Sequence, residues 1–228
     1  IDYVDQIGLG DNTYVIYMSD NGGARSALRG GKGGLWEGGI RVPFIMRGPG
    51  IAANATQGTS IVGYDLLPTF VDMAGSQEAI PQGVEGGSFL PLATGKTDQV
   101  TRSKDFITFH FPHYQGSDGP QSALIQGNMK LVENYDSGKV LLFDLSTDPG
   151  ESRDLSLAQP QQAAELQRLM RTHLNEINVG WPTQNPAYDP NRAASQQSDE
   201  VERPRRGNQD GGRGGRGGRG GRGNQGGS

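Results

Sequence analysis

An acidic residue and an amide residue stand together one serine after a short apolar run early in the chain. Asp20 and Asn21 follow Val15 to Met18 and precede two glycines. The run is rich in β-formers and predicts a buried strand that feeds a loop. Ligands of open α/β sheets bind beyond the carboxyl ends of strands, and the oxygens of this pair suit Ca²⁺ or Mg²⁺. A calcium site needs ~6–8 oxygens, so most ligands must come from elsewhere, and the alternative is an Asx turn ending the strand.

A lysine inside a glycine-rich stretch follows shortly afterwards. Lys32 lies between two pairs of glycines, whose missing side chains let the backbone approach a ligand while the ammonium supplies a compact positive charge. This arrangement suits a tetrahedral anion. The Walker spacing is absent, so the segment is not a P-loop, and the alternative is a loop that is only flexible. Glu37 and Arg41 predict an ion pair that holds a tight turn into a second strand.

The two loops belong to a longer series of segments. The series is SDNGG, GGKGGLWEGGIRVPFIMRGPG, YDLLPTFVDMAG, QSALIQGNMKLV and LLFDLSTDPGESRDL. In content and order it resembles the sulfatases of the alkaline phosphatase superfamily, over about residues 1–178. The resemblance implies that Asp20 and Asn21 are a metal-binding pair for Ca²⁺ and that Lys32 contacts the sulfate group. It also implies a large mixed-sheet α/β domain and a secreted, periplasmic or lysosomal setting.

The nucleophile of that family is missing from this sequence. Sulfatases attack sulfur with a hydrated formylglycine, which is made from the first residue of a Cys/Ser-x-Pro-x-Arg motif. This chain has no cysteine, and none of its serines begins such a motif. Further acidic metal ligands belong to the family's N-terminal half. We therefore expect the chain to be the C-terminal portion of a longer sulfatase and to be inactive alone.

The first of three predicted regions, residues 1–100, is the C-terminal part of the catalytic α/β domain. Strands are predicted at Tyr14–Met18, Val42–Met46 and Ser60–Val62, and a helix at Leu66–Ala74. Asp65 precedes this helix and Pro68 lies in its first turn. Asp65 is therefore interpreted as a helix cap, not as a metal ligand.

The second region, residues 101–180, is predicted to be a small antiparallel sheet packed with a helix. Its strands are Phe106–Phe111, Ala123–Gln126, Met129–Glu133 and Val140–Asp144, with turns at Gly127-Asn128 and Ser137-Gly138. Pro160–Asn178 is predicted to be an amphipathic helix. Its apolar stripe is Leu166, Leu169, Met170, Leu174 and Ile177, and His173 on that face is interpreted as a packing residue.

The segment HFPHY ends the first strand of this small sheet. Its two imidazoles, His110 and His113, stand beside an aromatic ring on a backbone stiffened by Pro112. Such a mixture suits the binding of a sugar or aryl group next to a sulfate. Structural histidines are an equally weighted interpretation, and the pair alone is a poor zinc site.

The third region, residues 181–228, has the composition of a disordered tail. It is rich in Pro, Asn, Gln and Ser, and then repeats Arg-Gly-Gly. Residues 201–228 hold seven arginines and two acids, a net charge of +5, which leaves −9 for residues 1–200. Arg-Gly-Gly tracts bind RNA and other polyanions, such as sulfated glycans, and the alternative is a solubilising tail.

Composition excludes several classes of protein. The absence of cysteine rules out a disulfide framework and a zinc-thiolate site. No apolar run approaches the ~18 residues of a membrane span.

The favoured function is part of a sulfuric ester hydrolase acting on a sulfate ester, such as a sulfated carbohydrate. The alternatives are a phosphoesterase of the same superfamily, or a non-catalytic module whose tail binds polyanions or RNA.

Overall fold

The computed structural model describes residues 2–23, 27–76, 80–114, 118–183 and 185–189. Residues 1–190 form one compact unit, which contains two antiparallel sheets and five α-helices within the described ranges. The helices are α1 Asp2–Gln6, α2 Glu37–Ile40, α3 Leu66–Met73, α4 Leu90–Ala93 and α5 Pro160–Glu176. The strands are β1 Val15–Met18, β2 Phe44–Arg47, β3 Phe106–Phe111, β4 Gln121–Gln126, β5 Met129–Asn134 and β6 Val140–Asp144. The predicted mixed α/β architecture is confirmed, while the predicted boundary near residue 100 stays a prediction.

The first sheet consists of β1 and β2. The two strands are antiparallel, with Val15 opposite Arg47 and Tyr17 opposite Ile45. Both strands were expected from the apolar runs, but the expectation that β1 is buried is wrong. Tyr17 and Ile45 are each 64% exposed, because no described residue covers the face that these cross-strand partners share.

The predicted strand at Ser60–Val62 is also wrong. Val62 is extended, yet its N–H donates to a side chain, Asp65 Oδ2, at 2.8 Å instead of joining a ladder. The carbonyl of Ser60 likewise accepts from Arg102 Nη2 at 2.9 Å. Side chains therefore satisfy the backbone groups that a neighbouring strand would otherwise have to pair.

The interpretation of Asp65 as a helix cap holds for the single 3-10 turn Gly63–Asp65 before α3, where its carboxylate accepts the N–H of Val62, but not for α3 itself. Asp65 stands at the N-cap of α3 without capping it, because its fully buried carboxylate is engaged elsewhere. It accepts from Gly87 N–H at 3.1 Å and forms a bidentate pair with Arg102, at 2.8 Å and 2.6 Å. Bidentate arginine pairing is among the stronger charge-assisted arrangements, so Asp65 fastens three segments together.

The second sheet has the order β3-β4-β5-β6, and every pair is antiparallel. All four predicted strands are confirmed, with β4 beginning earlier than expected. The turn after β4 holds Gly127 at φ +56°, and Gly138 before β6 has φ +66°, a backbone region that favours glycine.

One face of this sheet, which we call the helix face, packs against α5. The residues of this core are Phe106, Leu124, Leu131, Leu142, Leu155, Ala163, Leu166, Met170 and Leu174. His173 packs here as predicted, with its ring 5.2 Å from that of Phe106 and Nε2 3.4 Å from Glu85 Oε1. Ile177 does not continue the apolar stripe, because α5 ends at Glu176 and Ile177 is 51% exposed.

The opposite face, which we call the loop face, packs against the glycine-rich segment that contains Lys32. Leu35 and Trp36 of that segment form a core with Ala123, Val132 and Phe143 of the sheet. The rings of Trp36 and Phe143 meet edge to face at 5.9 Å, a favoured aromatic arrangement. The sheet is therefore covered by a helix on one side and by an irregular loop on the other.

A buried lysine lies under the loop face. Lys130 Nζ is 2.9 Å from Glu37 Oε1 and 2.7 Å from Glu151 Oε1, and all three side chains are less than a tenth exposed. Among the described residues, Glu151 Oε1 has no hydrogen-bond donor of good geometry, so the ionic contact with Lys130 compensates it. The cluster holds two carboxylates and one ammonium, and burial raises the pKa of Glu151.

We expect Lys130→Met to lower the free energy of unfolding by about 3–5 kcal/mol, because it leaves two buried carboxylates without their cation. The matched control is Lys139→Met, which makes the same change at an exposed lysine. Urea denaturation measures both variants. Equal stability of the two variants would contradict the ascribed importance of the cluster.

Two half-buried tyrosines should make the protein less stable at alkaline pH. Burial raises the pKa of Tyr64 and that of Tyr135 to about 12, from 10.0 for free tyrosine. Both groups stay protonated in either state below about pH 10, and from there to about pH 12 the unfolded chain loses these protons first. Stability should therefore fall over this interval. Replacing both residues with Phe should flatten the fall in urea midpoint, and an unchanged pH profile would refute this origin.

Candidate anion and cation site

Asp20 and Asn21 lie in the loop that leaves β1. The N–H of Asn21 donates to Asp20 Oδ1 at 2.9 Å, and Ser19 Oγ donates to the Asn21 carbonyl at 2.9 Å. This bonding is local to the loop, but it is not an Asx turn, in which the Asp20 carboxylate would accept the N–H two positions further on. It leaves two side-chain oxygens, Asp20 Oδ2 and Asn21 Oδ1, without a partner among the described residues.

These two oxygens fit a hard cation in type but not in number. Carboxylate and amide oxygens are the donors that Ca²⁺ prefers, and Asp20 is exposed, so its free oxygen is accessible. Within the described ranges, no three His, Cys, Asp or Glu side chains cluster closely enough to hold a metal ion. The local hydrogen bonds of this loop are thus compatible with a cation-binding role for the pair, but two oxygens are fewer than a calcium ion requires.

Lys32 lies at the tip of the glycine-rich loop. The N–H of Gly34 donates to the Gly31 carbonyl at 3.1 Å, which closes a tight turn around the lysine. The Lys32 side chain is exposed and has no partner among the described residues. Its ammonium is therefore free to receive an anion.

The structure brings the Asp20–Asn21 loop and the Lys32 loop together through the glycines of α2. Gly22 N–H donates to the Gly39 carbonyl at 2.8 Å. Gly39 also lies so close to the carbonyls of Gly31 and Gly34 that an added Cβ would overlap both oxygens. Only glycine at position 39 allows this approach. The glycines of GGKGG and of the following EGG therefore permit the contact between the two loops.

His110 lies on the helix face, away from this site. Its Nε2–H donates to the Gly180 carbonyl at 3.1 Å, so in the neutral ring Nδ1 accepts from Ser122 Oγ–H at 2.7 Å. Ser122 Oγ in turn accepts from Tyr135 O–H at 2.7 Å. Both ring nitrogens of His110 are engaged, and this geometry favours the structural interpretation of that residue.

His113 is placed differently. It is exposed, and its ring meets Phe111 at 4.8 Å on the side of the sheet that packs against Leu35 and Trp36. The loop after β3 also contacts the Lys32 loop directly, because Trp36 Nε1 donates to Asp118 Oδ2 at 3.1 Å. The two histidines of HFPHY are therefore separated, and only His113 is on the side of the Lys32 loop.

The charged residues that hold the Lys32 loop were not identified as a set from the sequence. The expected ion pair of Glu37 with Arg41 is present at 3.8 Å, but Lys130 is the closer partner of Glu37. A lysine in the apolar strand MKLVEN, sharing a face with Val132 by alternation, was the available signal. Its partner Glu151 lies in the quoted motif DPGESRDL, without an evident role at that level.

The predicted Arg-Gly-Gly tail lies outside the described residues, so its disorder and its binding stay predictions. Across the ranges that are described, we find no helix with the length and apolar character required to span a membrane.

Sulfatases from several organisms are similar to this chain in sequence. It is 33% identical over 171 residues to a sulfatase of Formosa agariphila, covering 68% of this chain and 31% of the relative. It is 31% identical over 183 residues to arylsulfatase K of Bos taurus, covering 76% and 33%. A stretch of 97 residues is 40% identical to an extracellular sulfatase SULF-1 homolog of Drosophila melanogaster, covering 42% and 8%. The chain thus spans about a third of the length of the first two.

Solved structures share its fold. The protein Ps i-CgsB superposes with a TM-score of 0.65 at 24% identity, covering 89% of this chain and 44% of that one. A protein solved with its substrate D-glucosamine-2-N,6-O-disulfate gives 0.59 at 22% identity, covering 76% and 36%. The family profile described as N-sulphoglucosamine sulphohydrolase, C-terminal, matches residues 31–180. This chain therefore belongs to the sulfatase family, of which it carries the C-terminal portion.

Proposed function

We propose that this chain is the C-terminal part of a sulfuric ester hydrolase and supplies the metal- and sulfate-binding loops of its active site. The observation that supports this most is the junction at Gly39, which joins the Asp20–Asn21 loop to the Lys32 loop in a member of the sulfatase family. The formylglycine nucleophile would come from a preceding half of the protein.

Each residue of the site has a separate role in this proposal. Asp20 Oδ2 and Asn21 Oδ1 would hold a divalent cation, which we propose to be Ca²⁺. When bound, such a cation polarises sulfate oxygens as a Lewis acid. Lys32 would bind the sulfate group and neutralise the negative charge that grows on the ester in the transition state, without needing to rearrange.

For the substrate we propose a sulfated carbohydrate. The support is the aromatic and imidazole surface beside the Lys32 loop, where His113 is exposed and Tyr114 is 57% exposed. Tyr114 O–H donates to Asp136 Oδ1 at 2.7 Å, which fixes the ring while leaving much of it open for stacking. We propose His113 for substrate binding ahead of His110, whose nitrogens are both engaged.

We further propose that the intact protein acts outside the cytoplasm. It would be secreted or periplasmic, or lysosomal in a eukaryote. The extracellular sulfatase of Drosophila among its relatives supports such a setting.

Removing the Lys32 ammonium should slow the intact enzyme severely. We expect Lys32→Ala to lower kcat on an aryl sulfate by about 100- to 1,000-fold, because an electrostatic donor to the transition state is lost. Lys96→Ala, at an exposed lysine after α4, is the control. Near-normal turnover of Lys32→Ala would remove this residue from the mechanism. A preference for the matching aryl phosphate over the aryl sulfate would instead indicate a phosphoesterase.

Losing the Asp20 carboxylate should weaken cation binding by the intact protein. A ligand that binds only the native state raises its thermal midpoint, so added Ca²⁺ should shift the midpoint of the wild type. The shift should be much smaller for Asp20→Asn, and unchanged for Asp98→Asn, which makes the same change at an exposed site. Identical shifts in the three proteins would exclude Asp20 as a ligand.

A further inference from the structure

We propose that Glu151 and Lys130 are positioning residues for Lys32, acting through the two ends of the loop that carries it. The proposal rests on the function proposed above, in which Lys32 binds the sulfate group. It adds the contacts that fix the position of the Lys32 ammonium.

Glu151 contacts both ends of the Lys32 loop. At the first end, Arg29 Nη1 donates to the Glu151 carbonyl at 3.0 Å. At the second end, the N–H of Glu37 donates to Glu151 Oε2 at 2.6 Å. One residue, more than a hundred positions away in sequence, therefore holds the loop on either side of Lys32.

Lys130 makes this arrangement compatible with burial. Its ammonium lies between the carboxylates of Glu37 and Glu151, at 2.9 Å and 2.7 Å. Without this cation, two like charges would face each other away from water, and Glu37 and Glu151 would separate or take up protons. Lys130 thus keeps Glu151 close enough to Glu37 to accept its N–H.

The loop is also closed upon itself. Gly38 N–H donates to the Arg29 carbonyl at 2.7 Å, and the Arg29 guanidinium stacks 3.5 Å above the centre of the Trp36 ring. A cation over an indole face is attracted by the ring quadrupole. The backbone from residue 29 to residue 38 is thereby a closed ring with Lys32 at its exposed tip.

Glu151 itself adopts a conformation that is unfavourable for its residue type. Its φ of +53° lies in the left-handed region, which non-glycine residues seldom occupy. Strained backbone conformations of this kind persist where the surrounding contacts hold them in place, and they are most frequent at functional sites. Here the carbonyl and both carboxylate oxygens of Glu151 are all in contact with the Lys32 loop or Lys130.

A double-mutant cycle in the intact enzyme separates positioning from stability. Glu151→Ala should lower kcat on an aryl sulfate by about 10- to 100-fold, because small displacements of a reacting group are costly. Glu151→Gln, which keeps an acceptor for the Glu37 N–H and leaves Lys130 paired with Glu37, should retain most of the activity. In a Lys32→Ala background, Glu151→Ala should cause no further loss of kcat while still lowering the thermal midpoint.

The matched control is Glu133→Ala. Glu133 is an equally buried carboxylate on β5, but it lies on the helix face and pairs with Arg171 of α5. It should lose stability without losing kcat. Arg29→Met removes the contact at the first end of the loop without changing the buried charges. It should also lower kcat, and it replaces Glu151→Ala as the test if Glu151→Ala folds poorly.

Three results overturn the inference: normal kcat in Glu151→Ala and Arg29→Met, an equal loss of kcat in Glu133→Ala, or a loss that persists undiminished in the Lys32→Ala background. If Lys32→Ala alone has normal turnover, the proposed function fails and this inference fails with it.

Discussion

The pairing of Lys130 with Glu37 and Glu151 is the interaction on which the arrangement of this chain depends. It joins residues from α2, from β5 and from the segment after β6 inside a region closed to water. Buried charges are costly to separate, so the three segments can be native only together. This requirement gives the Lys32 loop one position on the sheet. Apolar contacts alone, which are less directional, would leave more freedom to slide.

The two faces of the sheet formed by β3 to β6 are consequently packed against different kinds of structure. The helix face is closed by α5 in an ordinary apolar core, strengthened by Glu133 with Arg171 and Gln167. The loop face is closed by an irregular segment with few apolar side chains, where glycines permit close backbone contacts and charges supply the specificity. The helix gives this sheet its larger apolar core, and the loop exposes Lys32 to solvent while its Gly39 contacts the loop that carries Asp20 and Asn21.

The sequence predicted most of this fold where local patterns decide it. The runs of β1 to β6 and the periodicity of α3 and α5 are strong signals, and all eight elements are present. Prediction from the sequence failed where partners that are distant in sequence determine the local structure. Ser60–Val62 has a strand composition, but Asp65 and Arg102 take its hydrogen bonds. The meeting of the Asp20 and Lys32 loops could be expected only from family resemblance, and the pairing of Lys130 with Glu151 depends on contacts across the sheet that no local motif records.

We propose that the Lys32 loop is held in place to bind the sulfate group of an ester. A crystal structure of the intact protein with a sulfate ester bound tests this most directly. We expect a sulfate oxygen within hydrogen-bonding distance of Lys32 Nζ, with the contacts of Glu151 to Arg29 and Glu37 preserved. A sulfate group bound away from Lys32, or a Lys32 loop detached from Glu151 in that complex, would contradict it.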